Sequence, residues 1–151
     1  MAHQLVILGG GGRMGKTIAR CVLQNTDGPL QLRGAVDTAA HPAQGEDVGV
    51  LSSAGAVGIC LTDDISNLLP TMDVAIDFSV PDATAANSRT LANAGKALVI
   101  GTTGLTEAHH QMIQNAANTI PIIVAPNMSL GVNLLFMLAE QAAAALRGKG
   151  Y

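Results

Sequence analysis

Short apolar runs alternate with longer amphipathic stretches along most of the chain. Five of the runs are nearly continuous and rich in β-branched residues, which is typical of parallel strands covered on both faces. They span residues 4–8, 30–36, 73–78, 96–100 and 122–125, and a weaker run at residues 57–61 is a further strand candidate. The segments between them have helical composition and length at residues 14–25, 81–94 and 106–118.

Two of the predicted helices carry start signals. Pro81 stands in a first-turn position after Ser79, and Thr106 is a suitable N-cap residue directly before Glu107. Strands and helices that alternate in this way predict an α/β fold with a doubly wound parallel sheet. Only residues 38–58 fit neither pattern, and they are predicted to form a loop with room for a short helix.

The last part of the chain has a different character. Residues 132–146 predict a long helix whose first half is apolar nearly all the way round, so it needs partners on several sides. No later element of the 151-residue sequence is left to cover this helix. An uncovered apolar face is therefore expected at Leu134, Leu135, Phe136 and Leu138.

Composition narrows the classes of function. The sequence is 48% hydrophobic and 13% charged, which excludes a disordered chain, and its net charge of −3 leaves no basic surface. It has two phenylalanines, one tyrosine and no tryptophan, so it lacks aromatic platforms for bases and nucleic acid is not a predicted partner. No apolar run has the length of a membrane span, and the N-terminus lacks the charged region of a signal peptide. We therefore predict a cytoplasmic protein without membrane contacts.

The two cysteines, Cys21 and Cys60, stand far apart in the sequence without a second metal ligand near either. We predict that both are small, buried or half-buried thiols, which fits a reducing compartment. They give no sign of metal binding, and no metal site is predicted.

The stretch GGGGRMGK at residues 9–16 follows the first predicted strand and opens the first predicted helix. Gly10, Gly12 and Gly15 satisfy the spacing G-x-G-x-x-G, and Gly9, Gly12 and Gly15 satisfy a second register, G-x-x-G-x-x-G. Glycines at these places allow a tight turn whose backbone N–H groups face a pyrophosphate at a helix N-terminus. The loop therefore predicts a dinucleotide site.

An acid at the end of the second predicted strand strengthens this interpretation. Asp37 follows the loop by about 20 residues, where dinucleotide-binding proteins carry the acid that holds the adenosine ribose. A competing interpretation is a Walker A loop, because Gly10, Gly15, Lys16 and Thr17 formally match G-x-x-x-x-G-K-[ST]. Asp37, and the lack of an obvious Mg²⁺-binding Asp in the sequence, favour a Rossmann-type sheet over a nucleoside triphosphate site.

Three further segments fall at the ends of predicted strands, where an open α/β sheet binds its ligands. They are DFSVPD at residues 77–82, GTTGL at 101–105 and APNMSLGVN at 125–133. Together with the glycine loop, in this order and spacing, they resemble the 4-hydroxy-tetrahydrodipicolinate reductase family (formerly dihydrodipicolinate reductase) of bacterial and plant lysine biosynthesis. The resemblance covers essentially the whole chain. It implies an oxidoreductase of the diaminopimelate pathway that reduces 4-hydroxy-tetrahydrodipicolinate to tetrahydrodipicolinate with NADH or NADPH.

The resemblance also implies which residues contact the dinucleotide. The glycine loop would wrap the pyrophosphate, Asp37 would hold the adenosine ribose, and residues 101–103 and 125–128 would line the nicotinamide. Thr103 would in addition bind a carboxylate of the substrate, a small cyclic dicarboxylate. The implied cofactor-binding residues are Gly9, Gly10, Gly11, Gly12, Arg13, Met14, Asp37, Thr38, Phe78, Gly101, Thr102, Thr103, Ala125, Pro126, Asn127 and Met128.

The choice between NADH and NADPH depends on the charges near the adenosine ribose. By the resemblance, Arg13 would lie near the 2′-position and could meet a 2′-phosphate with its guanidinium. Many relatives carry a second basic residue directly after the ribose acid, but this sequence has Thr38 there. Asp37 itself repels a phosphate, so NADH is expected to serve at least as readily as NADPH.

The family's catalytic motif, E-x-H-H-x-x-x-K-x-D-A-P-S-G-T, is expected beyond Tyr151. The first positions of this motif are matched by Glu107, His109 and His110. However, Ile113 stands where the lysine would fall, and no DAPSGT follows. Adjacent histidines on a helix point about 100° apart, so both are interpreted as solvated helix residues. No catalytic residue is therefore predicted within this chain.

The resemblance further implies two parts: an NAD(P)-binding Rossmann domain at residues 1–128, and a hinge with the first helix of an α+β substrate domain at residues 129–151. The rest of that truncated domain would be missing, so the chain alone is expected to be inactive and the full-length protein to be a homotetramer. Two alternatives stay open, a stand-alone nucleotide-binding module without catalysis and another Rossmann dehydrogenase with a similar glycine loop. The segments VIGTTG and NMSLGVN disfavour the second alternative.

Overall fold

A computed structural model describes residues 2–148 of the chain. Its centre is a six-stranded sheet in the order β3-β2-β1-β4-β5-β6, in which every neighbouring pair is parallel. The strands are β1 (His3–Leu8), β2 (Leu30–Val36), β3 (Leu61–Thr62), β4 (Val74–Asp77), β5 (Ala97–Ile100) and β6 (Ile122–Val124). The strand order reverses between β1 and β4, which creates a crevice at the carboxyl ends of these two strands. The predicted doubly wound parallel sheet is confirmed.

Helices cover both faces of this sheet. They are α1 (Arg13–Gln24), α2 (Val48–Leu51), α3 (Pro81–Asn93) and α4 (Glu107–Ala117). A fifth helix, α5 (Leu130–Leu146), follows β6, and the described chain buries none of its residues. Alternate residues of β1 point to two separate hydrophobic cores. Leu5 and Ile7 belong to the core that contains Ala19 of α1. Leu8 belongs to the other core, which contains Leu91 of α3.

The predicted strand at residues 57–61 is wrong in its position, because β3 holds only Leu61–Thr62. The reason is Asp47, the N-cap residue of α2, whose carboxylate accepts hydrogen bonds from backbone N–H groups within α2 and in the loop that follows it. The donors, at 2.7–3.2 Å, are Gly49, Val50, Val57 and Gly58. Desolvation raises the pKa of Asp47, but these donors outweigh it and hold the pKa below its ordinary value. The first residues of the predicted strand are thus hydrogen-bonded to the N-cap residue of α2. Helix α2 is the short helix that was predicted as possible within residues 38–58.

Helix α5 begins at Leu130, slightly earlier than predicted, and none of its residues is buried by the described part of the chain. The predicted apolar face is confirmed, since more than half of the residue surface is exposed at Leu134, Leu135, Phe136 and Leu138. No helix within residues 2–148, α5 included, is long and apolar enough to cross a bilayer. Residues 149–151, the end of the predicted second part, lie outside the described residues.

Both cysteines are exposed, so the prediction of buried or half-buried thiols is wrong. Cys21 lies on the outer side of α1, beside the exposed Arg20. Cys60 directly precedes β3, which is the strand at one edge of the sheet. Neither position is covered by a second layer of structure, which explains the exposure.

Candidate functional site

The glycine loop forms a tight turn between β1 and α1. The N–H groups of Gly9 and Gly10 both donate to the carbonyl oxygen of Val36, at 2.9 and 3.0 Å, which ties the loop to β2. Gly9 has a φ of +77°, and a Cβ there would lie 2.7 Å from the carbonyl oxygen of Phe78. A Cβ on Gly15 would collide with the carbonyl oxygen of Gly9, so α1 packs directly on the loop backbone. Gly9 and Gly15 are therefore required by the fold itself.

Gly12 has a different role, because its surroundings are open. It is the exposed N-cap residue of α1 and has an ordinary φ of −72°. A Cβ there would meet only the carbonyl oxygen of Gly9, at 3.2 Å, among the described residues outside its own helix and chain neighbours. Within residues 2–148 no side chain caps α1, and its first turn carries no acid, so the N–H groups of Arg13 and Met14 are accessible to an anion.

Asp37 is brought directly onto the glycine loop. Its Oδ2 accepts a hydrogen bond from the N–H of Gly11 at 2.9 Å, and its Oδ1 accepts one from the N–H of Thr38 at 2.8 Å. The amide of Gln44 donates to the carbonyl oxygens of Asp37 and Thr38, at 3.0 and 2.8 Å, which fixes the chain after β2. The predicted ribose acid and the predicted pyrophosphate loop thus form one unit. Gln44 supports them although no sequence pattern indicates it.

The imidazole of His41 covers another residue of the loop, Gly11. A Cβ on Gly11 would lie 2.5 Å from both Cε1 and Nε2 of the ring. The ring is held in this place because its Nδ1 accepts a hydrogen bond from the N–H of Ala43 at 3.1 Å. Glycine at position 11 therefore leaves room for the ring of His41. The spacing of the glycines in the sequence does not predict that His41 lies against the loop.

A cleft of about 280 Å³ opens beside Asp37, at the crevice between β1 and β4. Its walls are apolar where Val36, Val80 and Ala83 line it, and its polar groups come from Asp37, Thr38, Asp63, Ser79 and Asn87. Because apolar walls and a few polar groups at the rim are typical of small-molecule sites, this cleft suits a flat ring joined to a sugar. It lies next to the N-terminus of α1, where an anion can be bound.

Asp77, at the end of β4, is fully buried and organises the neighbouring strand ends. Its Oδ1 accepts hydrogen bonds from the N–H and the hydroxyl of Ser79, at 2.8 and 2.6 Å, and its Oδ2 accepts one from the amide of Asn87 at 3.1 Å. The hydroxyl of Thr84 donates to that of Thr102 at 2.8 Å, and Thr102 Oγ1 lies 3.4 Å from Asp77 Oδ1. The predicted site residues did not include Asp77, although it begins the segment DFSVPD at the end of a predicted strand.

The predicted nicotinamide residues gather at the ends of β5 and β6. The ring of Phe78 packs on Gly101 so closely that a Cβ on this glycine would collide with it. A second cleft, of about 230 Å³, is lined by Thr103, Pro126 and His110, among others. The remaining predicted residues follow the same two strands and are Thr102, Ala125, Asn127 and Met128. Direct contact of each of them with a cofactor stays a prediction.

The interpretation of His109 as a solvated helix residue is wrong. Its side chain is only 16% exposed, and its Nε2 lies 3.0 Å from Oδ1 of Asp82 in α3. Its Nδ1 accepts a hydrogen bond from the N–H of Thr106, the N-cap residue of α4, at 3.1 Å. His109 thus caps α4 and joins it to α3, while the adjacent His110 is exposed as predicted. The pair does not form a joint catalytic centre.

Comparison with known proteins supports a specific relationship. Residues 3–128 match the family model described as "Dihydrodipicolinate reductase, N-terminus". A 4-hydroxy-tetrahydrodipicolinate reductase from Anaeromyxobacter dehalogenans is 42% identical over 95% of this chain and 52% of its own length. One from Rhizobium meliloti is 38% identical over 95% of this chain and 58% of its own length. The chain thus spans about half the length of the curated relatives it matches.

Solved structures give a consistent result. A dipicolinate-bound dihydrodipicolinate reductase from Paenisporosarcina sp. TG-14 superposes with a TM-score of 0.73 and 25% identity, over 95% of this chain and 54% of the other. The WlbA dehydrogenase from Bordetella pertussis, solved with NADH and UDP-GlcNAcA, superposes with a TM-score of 0.67 over 93% of this chain and 42% of its own. Its 16% identity shows a shared fold only. Because the family model matches most of the sequence, the chain belongs to the dihydrodipicolinate reductase family and corresponds to the N-terminal part of its members.

Proposed function

We propose that this chain is the dinucleotide-binding half of a cytoplasmic oxidoreductase that reduces 4-hydroxy-tetrahydrodipicolinate to tetrahydrodipicolinate in the diaminopimelate route to lysine. The observation that carries the proposal is the hydrogen bond between the Asp37 carboxylate and the N–H of Gly11. It supports the proposal because it holds Asp37, the proposed ribose acid, beside the glycine loop that leads into the open N-terminus of α1, and a dinucleotide needs both groups. Membership of the dihydrodipicolinate reductase family supports the same conclusion.

The adenosine diphosphate half of the cofactor would be held by the glycine loop and Asp37. Gly12 leaves the N-terminus of α1 open, so the pyrophosphate can approach the backbone N–H groups of Arg13 and Met14. Asp37 accepts hydrogen bonds from ribose hydroxyls, and its charge disfavours a 2′-phosphate. We therefore propose that NADH serves at least as readily as NADPH, with Arg13 as the group that tolerates the phosphate of the latter.

The nicotinamide half would lie over residues 101–103 and 125–128. When bound, the reduced nicotinamide supplies a hydride. The chain's own contribution is to position the ring: the buried Asp77 and the bonded hydroxyls of Thr84 and Thr102 hold the end of β5 in place. Thr103, exposed in the second cleft, is the group proposed to bind a substrate carboxylate.

The chemistry on the substrate is assigned to the half of the relatives' length that this chain does not match. Residues 1–128 would form the cofactor domain, and residues 129–151 the hinge and first helix of a substrate domain. In this view α5 is apolar because the rest of the substrate domain, in a homotetramer, packs on it. The proton donor and the second carboxylate-binding group would come from that domain.

Direct titration tests the proposed cofactor site. NADH and NADPH are added to the 151-residue protein while nicotinamide fluorescence is followed, and ADP-ribose is used as a competitor. We expect saturable binding of NADH, displacement by ADP-ribose, and no reductase turnover with freshly generated substrate. Failure of both reduced dinucleotides to bind at millimolar concentration would overturn the proposal.

A further inference from the structure

A second acid, Asp63, lies beside the ribose acid Asp37. Strands β2 and β3 are paired so that Val36 faces Thr62, and each acid is the next residue along its strand. The two carboxylates therefore leave adjacent strand ends at the same edge of the sheet, and both line the cleft of about 280 Å³. The glycine-loop motif indicates Asp37 only, so Asp63 has no assigned role.

The two acids differ in what they bind. Both oxygens of Asp37 are engaged by the N–H groups of Gly11 and Thr38. The Asp63 carboxylate is exposed and accepts no hydrogen bond from the residues that the structure describes. A carboxylate offers acceptor oxygens and no donor of its own. The arrangement is therefore ready for a ligand that brings N–H groups to the cleft.

Asp63 is also unnecessary for the local turn. That turn after β3 is built by Asp64, whose Oδ1 accepts a hydrogen bond from the N–H of Ser66 at 2.8 Å and whose Oδ2 accepts one from the amide of Asn67 at 2.9 Å. The N–H of Asp64 in turn donates to the hydroxyl of Thr62 at 3.2 Å. Because Asp64 performs the structural task, the side chain of Asp63 is left for the cleft.

We propose that Asp63 accepts a hydrogen bond from the exocyclic 6-amino group of the adenine in the bound dinucleotide, and so selects adenine over hypoxanthine. The proposal rests on the proposed function, since it assumes that the cleft holds the adenosine end of the cofactor. The apolar surfaces of Val36, Val80 and Ala83 suit the faces of a purine ring. Asp37 fixes the ribose at one side, and Asp63 supplies an acceptor for the edge of the base that carries donor hydrogens.

A comparison of two cofactors tests the role of Asp63. NADH and reduced nicotinamide hypoxanthine dinucleotide, which has a carbonyl in place of the 6-amino group, are titrated into the wild-type chain. We expect NADH to bind about tenfold more tightly, because a carboxylate facing the hypoxanthine carbonyl loses a charge-assisted hydrogen bond. Asp63→Ala should bind the two cofactors equally, and Asp63→Asn should favour hypoxanthine relative to wild type because its amide can donate to the carbonyl.

Asp27→Ala is the control, since Asp27 is an exposed acid that accepts no hydrogen bond from residues 2–148 and is not among the residues that line the cleft. This variant should keep the wild-type preference. Equal affinities for the two cofactors in the wild-type chain, or an unchanged preference in Asp63→Ala, would overturn the role of Asp63 while leaving the cofactor site intact. Failure of every dinucleotide to bind would overturn the proposed function as well.

Discussion

The carboxylate of Asp37 and the backbone N–H of Gly11 lie 2.9 Å apart, which joins the end of β2 to the glycine loop after β1. The carboxylate keeps lone pairs for ribose hydroxyls because each of its oxygens accepts only one hydrogen bond from the described chain. The glycine loop and Asp37 therefore form one unit. Substitutions in the loop and beside Asp37 can distinguish an effect on dinucleotide binding from an effect on folding.

Gly12→Val should abolish or strongly weaken NADH binding, and it should lower stability less than Gly15→Ala does. The β-branched side chain would cover the N-terminus of α1, whereas its Cβ meets only the carbonyl oxygen of Gly9, at 3.2 Å. Gly15→Ala is the contrasting variant, because its Cβ would collide with the loop backbone and lower the melting temperature. Titration and thermal unfolding of both variants check this. An unchanged NADH affinity in Gly12→Val would show that the loop is not the binding site.

Thr38→Arg should improve NADPH binding relative to NADH by about 1–3 kcal/mol, typical of a charge-assisted contact with a phosphate. Thr38 lines the cleft of about 280 Å³ and is exposed, so a long side chain can be accommodated. Dissociation constants for both cofactors are measured before and after the change. A Thr38→Gln variant controls for side-chain length, and equal gains in the two variants would speak against an effect of charge.

The hydrogen bonds to Asp47 should make stability depend on pH in the acid range. Since the pKa of Asp47 is lowered in the folded chain, its contribution is complete above the unfolded pKa of about 3.9 and is lost as the pH falls through the lower folded value. Urea unfolding of the wild type and of Asp47→Asn, compared at neutral and acid pH, measures this. The difference in stability between the two should shrink on acidification.

Asp27→Asn is the control for that experiment, because Asp27 is exposed and accepts no hydrogen bond from residues 2–148. Its difference in stability from the wild type should stay small at both pH values. A difference for Asp47→Asn that is the same at neutral and acid pH would contradict the role of its carboxylate.

His109→Ala should destabilise the fold by about 1 kcal/mol, because it removes the hydrogen bonds to Thr106 and Asp82 that join α4 to α3. His110→Ala is the matched control, since this exposed neighbour makes no hydrogen bond through its ring within the described chain, and its effect should stay within about 0.5 kcal/mol. The His109→Ala variant is expected to bind NADH as the wild type does. Equal melting temperatures for the two variants would contradict the capping role of His109.

The apolar face of α5 should make the 151-residue chain self-associate. Leu135 and Phe136 are each more than half exposed, and adjoining apolar side chains extend the patch. Light scattering over a range of protein concentration measures the effect. Replacing Leu135 and Leu138 by lysine should reduce it, while lysine at the polar position Gln141 should not. A monomeric wild-type chain at high concentration would refute this prediction.

Local patterns are sufficient for five of the six described strands, for the longer helices and for the position of Asp37, because each follows from residues close in sequence. Contacts between distant segments were not predictable in this way. His109 was misinterpreted because Asp82, its partner, lies in another helix. The strand expected at residues 57–61 was displaced because Asp47 binds the N–H groups of Val57 and Gly58 from across a loop.

The burial of Asp77 also affects how the carboxyl ends of β4 and β5 can separate in local fluctuations. Its carboxylate, its neighbouring hydroxyls and the N–H of Gly101, which donates to the Asp77 carbonyl oxygen at 2.8 Å, form bonds that share partners. Because breaking one leaves others unsatisfied in an apolar interior, the ends of β4 and β5 separate together or not at all. Amide hydrogens there should exchange with solvent only in larger, cooperative fluctuations. The amides of Asn127 and Met128 should exchange more readily, because these residues are exposed between β6 and α5. A nicotinamide bound between these segments would thus contact a rigid segment at the ends of β4 and β5 and a more flexible segment after β6.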